Sequence, residues 1–115
     1  MTLAEFLASK YRNIWLELDD MRVYVRKSWR HLDGNTRRCI DVASVEVDEY
    51  CRGQGIFTKW LAELEQIIVP DYEYVFVECV LNEKLVPHLE KLGYSAIRST
   101  ITPDLYKSVN KLELK

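Results

Sequence analysis

Residues that break or staple a chain are scarce in this sequence. Four glycines and three prolines among 115 residues exclude collagen-like, low-complexity and linker-rich organisation. The three cysteines, Cys39, Cys51 and Cys79, are odd in number and widely spaced, which excludes a disulfide framework and the close pairing of zinc ligands. No apolar run approaches the length that spans a bilayer, and Met1–Glu5 lacks the basic start of an export signal. A reduced, cytoplasmic protein without membrane attachment is the expectation, with no metal site. Charge of one sign is missing too: the net charge is −2, which exerts no overall pull toward nucleic acid.

What is present is a globular composition, 48% hydrophobic and 30% charged, expected to fold as one domain over residues 1–115. Charge is nevertheless uneven along the chain. Arg22, Arg26, Lys27, Arg30, Arg37 and Arg38 share one segment with little acid beside them. That segment reads as a solvated strand face, or as a contact for an anionic group.

Thr2 followed by Glu5 has the form of a capping box, and Leu3, Leu7, Tyr11 and Ile14 recur at helical spacing, so a helix is expected over about 3–16. From Met21 the pattern switches to alternation, Val23 and Val25 against Arg22, Tyr24 and Arg26, which marks a strand. A turn at 33–36 leads into a second strand over about 37–47, long enough to hold a bulge. Phe57, Trp60, Leu61, Leu64, Ile67 and Ile68 then line one face of a helix that Pro70 stops. Residues 74–81 read as a central strand interrupted only by Glu78. A helix from Asn82 to Leu92 with Gly93 as its stop follows, and strands at 94–99 and 106–114 close the chain. This order describes an α/β fold with a mixed sheet and helices on both faces.

The segment from Val45 to Gly55 runs out of a strand pattern, through Arg52-Gly53-Gln54-Gly55, directly into the strong helix. Glycines let backbone approach a ligand, and a helix start offers unpaired N–H groups at the positive end of its dipole, a combination that suits a pyrophosphate. A Walker A loop is excluded because Ile56-Phe57 follows Gly55, and a dinucleotide fingerprint because the third glycine is missing.

Val47-Asp48-Glu49-Tyr50-Cys51-Arg52-Gly53-Gln54-Gly55-Ile56-Phe57 resembles motif A of the GNAT superfamily. Asn82-Glu83-Lys84-Leu85 with His88-Leu89-Glu90-Lys91-Leu92-Gly93-Tyr94 is similar to motif B of the same family. The resemblance implies a shortened GNAT acyltransferase that uses acetyl-CoA. It implies that backbone at Val45 and Val47 pairs with the pantetheine arm, that amides of Arg52, Gly53, Gln54, Gly55, Ile56 and Phe57 hold the pyrophosphate, and that Asn82 touches the cofactor where two strands splay. The sequence departs from the family at Phe57, where a small residue is usual, and at Leu89, where a tyrosine acid is frequent.

Acyl transfer to an amine needs a group to take the amine's proton. Glu46, Glu78, Asp41 and His88 are the candidates. Glu78 stands out as a carboxylate within an apolar strand, either raised in pKa by burial or paired with an arginine. Asp41 shares a face with Val45 only if no bulge intervenes. The expected activity is transfer of an acetyl group from acetyl-CoA to an amine of a small molecule, a protein lysine or an N-terminus; the alternative is an inactive binding or inhibitory protein of the same fold. Exposed C-terminal strands leave a homodimer open.

Overall fold

The computed structural model describes residues 1–32, 34–47, 55–69, 71–78, 85–97 and 104–109. In chain order the elements are α1 (Leu3–Ala8), β1 (Asn13–Glu17), β2 (Met21–Leu32), β3 (Asn35–Val47), α2 (Ile56–Ile67), β4 (Tyr74–Val77), α3 (Leu85–Lys91), β5 (Ser95–Ile97) and β6 (Asp104–Ser108). The strands form one six-stranded sheet in the order β1-β2-β3-β4-β6-β5. Among the described residues only β3 and β4 run parallel, and α2 is the crossover that a parallel pair demands.

The first helix is shorter than its periodicity suggests. Its capping box forms as expected, Thr2 and Glu5 each closing on the other's backbone N–H, but the helix ends at Ala8 and residues 13–17 become β1. Tyr11, which fits the helical spacing, is exposed, whereas Leu16 is buried. Ile14 and Leu16 alternate with polar Asn13 and Glu17, and pairing with β2 satisfies a backbone that a solvent-facing helix would have left to water. A strand therefore lies where a helix was expected.

β2 and β3 form a long hairpin with a register shift: Tyr24 faces Ser44, Val25 faces Val42, and Ala43 is the extra residue. A bulge of this kind reverses the alternation beyond it. Ile40, Val42 and Val45 consequently share the core with Val23 and Val25, while Cys39 joins Tyr74 and Phe76 on the other face. Asp41 lies on the opposite face from Val45.

α2 buries Phe57, Trp60, Leu61 and Leu64, each contributing about 1.5–3 kcal/mol. Ile67, counted on that face by periodicity, is exposed. β4 ends at Val77, one residue before Glu78, and α3 carries Pro87 within its first turn, where a missing N–H costs least. Gly93 has φ 100, a left-handed helix stop as expected. β6 begins at Asp104, two residues before the start expected from sequence. Residues 79–84, 98–99 and 110–114 lie outside the described residues.

All three helices send their buried side chains into the cluster that contains Val23, Val25, Ile40, Val42, Val75 and Val77. The expectation of helices on both faces is thus corrected: among the described residues they gather on one. No helix there is long and apolar enough to cross a membrane.

Candidate active site

The parallel pairing of β3 with β4 covers Cys39–Val42 against Tyr74–Val77. One further rung follows, the Glu78 N–H donating to Val42 O at 3.0 Å. From Ala43 to Val47, β3 continues with β2 alone as its strand partner among the described residues. Among the described residues the pairing of β3 beyond Val42 is thus one-sided, an edge of the kind to which an extended ligand can add as a strand.

Beyond this edge the chain enters α2 through Gly55, which has φ 73 and no side-chain cap. The first helical bond is Lys59 N–H to Gly55 O at 3.0 Å, so helix geometry leaves the amides of Ile56, Phe57 and Thr58 unpaired within the helix. Among the described residues, a Cβ built on Gly55 would meet nothing within 4 Å. The Phe57 ring turns away into the core and stacks on Trp60 at 6.2 Å. Arg52, Gly53, Gln54 and Asn82 lie outside the described residues.

Past the last described pairs of β3 and β4, on the face that carries no helix among the described residues, Asp41 and Glu78 come together. The Nη2 of Arg30 lies 3.1 Å from Asp41 Oδ2 and 2.9 Å from Glu78 Oε1. Arg26 binds Glu78 and approaches Asp41 Oδ2 at 3.8 Å. Ser28 Oγ donates to Asp41 Oδ1 at 2.9 Å. The Arg30 guanidinium also covers the Phe76 ring, 4.0 Å from its centroid. Alternation explains the gathering: Arg26, Ser28 and Arg30 share one face of β2, Asp41 lies across on β3, and Glu78 continues the face of Phe76.

Burial drives the Asp41 carboxyl above its ordinary range, against the pull of Arg30 and the Ser28 hydroxyl, and neighbouring Glu78 adds to the rise. The Arg26 guanidinium is held more firmly protonated by its hydrogen bond to Glu78. Beside them burial pushes the Cys39 thiol up to about 11, which leaves it a poor nucleophile.

The other candidates stand apart. Glu46 is exposed and paired at 3.7 Å with Arg22, which also binds Glu17. His88 is on the helix side, its Nε2 2.7 Å from Thr58 Oγ1, a link between α3 and the first turn of α2. Leu89 is fully buried, and Tyr94 donates to Glu65 at 2.8 Å. Sequence pattern alone missed that Arg26 and Arg30 converge on one carboxylate pair, although their period-two spacing with Ser28 was visible. Of the basic segment, Arg22, Arg26, Arg30 and Arg37 are all paired with carboxylates, and Arg38 lies over the Trp29 and Tyr72 rings.

No family model matches the chain, and no curated protein sequence does. Solved structures do match. A mutant AtaT toxin bound to the C-terminus of the antitoxin AtaR and acetyl-CoA superposes with a TM-score of 0.64 at 18% identity, covering 83% of this chain and 62% of that one. AtaT complexed with acetyl-methionyl-tRNAfMet gives 0.65 at 17% identity over 83% and 65% of the two chains. The KacTA–DNA complex gives 0.64 at 18% identity over 83% and 62%. This chain therefore spans less than two thirds of the length of these neighbours. At such identity the likeness speaks for architecture, and the architecture is the GNAT fold that the two sequence motifs resemble.

Proposed function

We propose that this protein is an acyl-coenzyme-A-dependent N-acyltransferase that moves an acetyl group from acetyl-CoA to an amine. The observation that carries this reading is the stretch of β3 from Ala43 to Val47, which among the described residues has β2 alone as strand partner and begins beside the Asp41–Glu78 pair. The neighbours bound to acetyl-CoA and to acetyl-methionyl-tRNAfMet support it.

Backbone of Val45 and Val47 would pair with the pantetheine arm, and amides of Gly55, Ile56 and Phe57 would hold the pyrophosphate together with Arg52, Gly53 and Gln54. Asn82 would contact the cofactor at the splay. Coenzyme A supplies an acyl group activated as a thioester. Glu78 stands past the last described pair of β3 and β4 and serves as the proton acceptor, with Asp41 and Ser28 behind it. In balance, a carbon–nitrogen bond forms as the carbon–sulfur bond breaks, and the proton leaving nitrogen ends on the departing sulfur. Glu46 and His88 lie apart from this pair; His88 ties α3 to α2 through Thr58.

Incubation with labelled acetyl-CoA and a panel of amines and proteins tests the reading: label on an acceptor supports it, and bound cofactor without transfer to any acceptor overturns it. One observation favours a second reading, an inactive binding protein. Leu89 fills the core where the family's tyrosine acid is frequent, leaving that role without a side chain able to donate a proton.

A further inference from the structure

On the helix-free face the carboxylates and the guanidinium groups of the cluster are not equally available to a ligand. The side chains of Asp41 and Glu78 are 4% and 16% exposed, whereas those of Arg26 and Arg30 are 38% and 30% exposed. A molecule arriving on this face meets positive groups first, with the negative ones beneath them. Each guanidinium carries five N–H donors in a planar fork. Arg26 commits one nitrogen, Nη2, to Glu78, and Arg30 commits Nη2 and Nε to the two carboxylates. Donors remain on both forks.

The site therefore discriminates between amines by their other charge. A polyamine or lysine-rich acceptor brings a second cation against two guanidinium groups, while its attraction to the carboxylates is already answered by those same arginines. An amine with an oxyanion is drawn the other way, since carboxylate and phosphate both fit the guanidinium fork.

We infer that Arg26 and Arg30 form an anion-recognition site that selects amine acceptors carrying a carboxylate or phosphate. This rests on the acyltransferase reading for the word acceptor, but the anion site itself is testable without any transfer. Tyr24, next along the same face of β2, and Trp15, 5.2 Å from it between ring centroids, form the adjacent wall.

Two measurements separate the ideas. In calorimetry, β-alanine and O-phosphoethanolamine are titrated beside β-alaninamide and ethanolamine, into wild type, Arg26→Gln and Arg26→Lys. In parallel, thiol release from acetyl-CoA is followed with each amine. The expected result is at least tenfold tighter binding of the anionic member of each pair by wild type. That preference should be lost in Arg26→Gln and partly kept in Arg26→Lys, with kcat/KM following through KM. A larger preference for the phosphate pair or for the carboxylate pair identifies the oxyanion. Equal binding of charged and amidated partners, or a preference that survives in Arg26→Gln, overturns the proposal even if thiol is released. Anion binding that depends on Arg26 without thiol release upholds the site and overturns the acyltransferase reading instead.

Discussion

At the scale of single residues, the carboxylates of Asp41 and Glu78 have separable tasks. Glu78 is the more exposed and lies on the last described rung between β3 and β4, so Glu78→Gln is expected to lower kcat about 10²-fold, the usual contribution of a proton acceptor. Coenzyme A affinity by calorimetry should stay within about twofold, and an unchanged kcat would assign the proton to another group. Asp41 is legible instead through stability. Its folded pKa lies above the ordinary value of 3.8, so between that value and the raised one the folded state holds more proton than the unfolded chain. Stability contributed by neutral Asp41 is present below about 3.8 and is lost as pH rises through the folded pKa. Urea midpoints of wild type and Asp41→Asn from pH 3 to pH 7 should therefore move against wild type as pH increases; parallel curves would place Asp41 in an ordinary environment. The sequence marked Glu78 as a candidate because it stands within an apolar strand, and Asp41 because of its spacing from Val45 on the preceding strand. It did not reveal their common partners, since Arg26 and Arg30 meet Glu78 across more than forty positions of chain.

Whole elements were legible where the pattern had a single interpretation. The period-3.6 face of α2 and the alternation of β2 extend over enough residues to admit no other reading. The segment after α1 was ambiguous: Ile14 fits a helix begun at Thr2, yet Ile14 and Leu16 also alternate, and only pairing with β2 decides between them. Leu16→Ala should consequently cost about 2–5 kcal/mol, while Tyr11→Ala, on the exposed side of the chain, should fall within about 0.5 kcal/mol. Thermal or urea unfolding of both variants checks the strand, and equal effects would return residues 11–16 to a helix. The bulge at Ala43 was anticipated from the length of β3 but not its position, because a bulge is set by the register with the partner strand. Entry into α2 offers a further test. Gly55 has φ 73 and, among the described residues, nothing within 4 Å of its Cβ position, so Gly55→Ala should lose about 1–2 kcal/mol of stability through backbone strain. Coenzyme A affinity should fall by at least tenfold if the space beside it is where the pyrophosphate approaches.

For the molecule as a whole, the proposed cofactor contacts fall on two elements, β3 from Ala43 to Val47 and the start of α2 beside Gly55. A ligand spanning both would join the hairpin to the helix layer, and binding to the folded state alone raises stability by about 2.7 kcal/mol at a hundred times Kd. For a chain near this size that corresponds to a rise of roughly 10 °C in Tm. Acetyl-CoA should produce this shift in wild type and none in Gly55→Glu, which sets a carboxylate against the diphosphate. Coenzyme A itself should match acetyl-CoA closely, since the contacts reside in the pantetheine arm and phosphates rather than in the acetyl group. Pantetheine without its nucleotide should shift Tm far less, because it forfeits the helix amides. An equal shift from pantetheine would move the binding energy from α2 to the strand edge, and the absence of any shift with acetyl-CoA would leave the GNAT architecture without its cofactor.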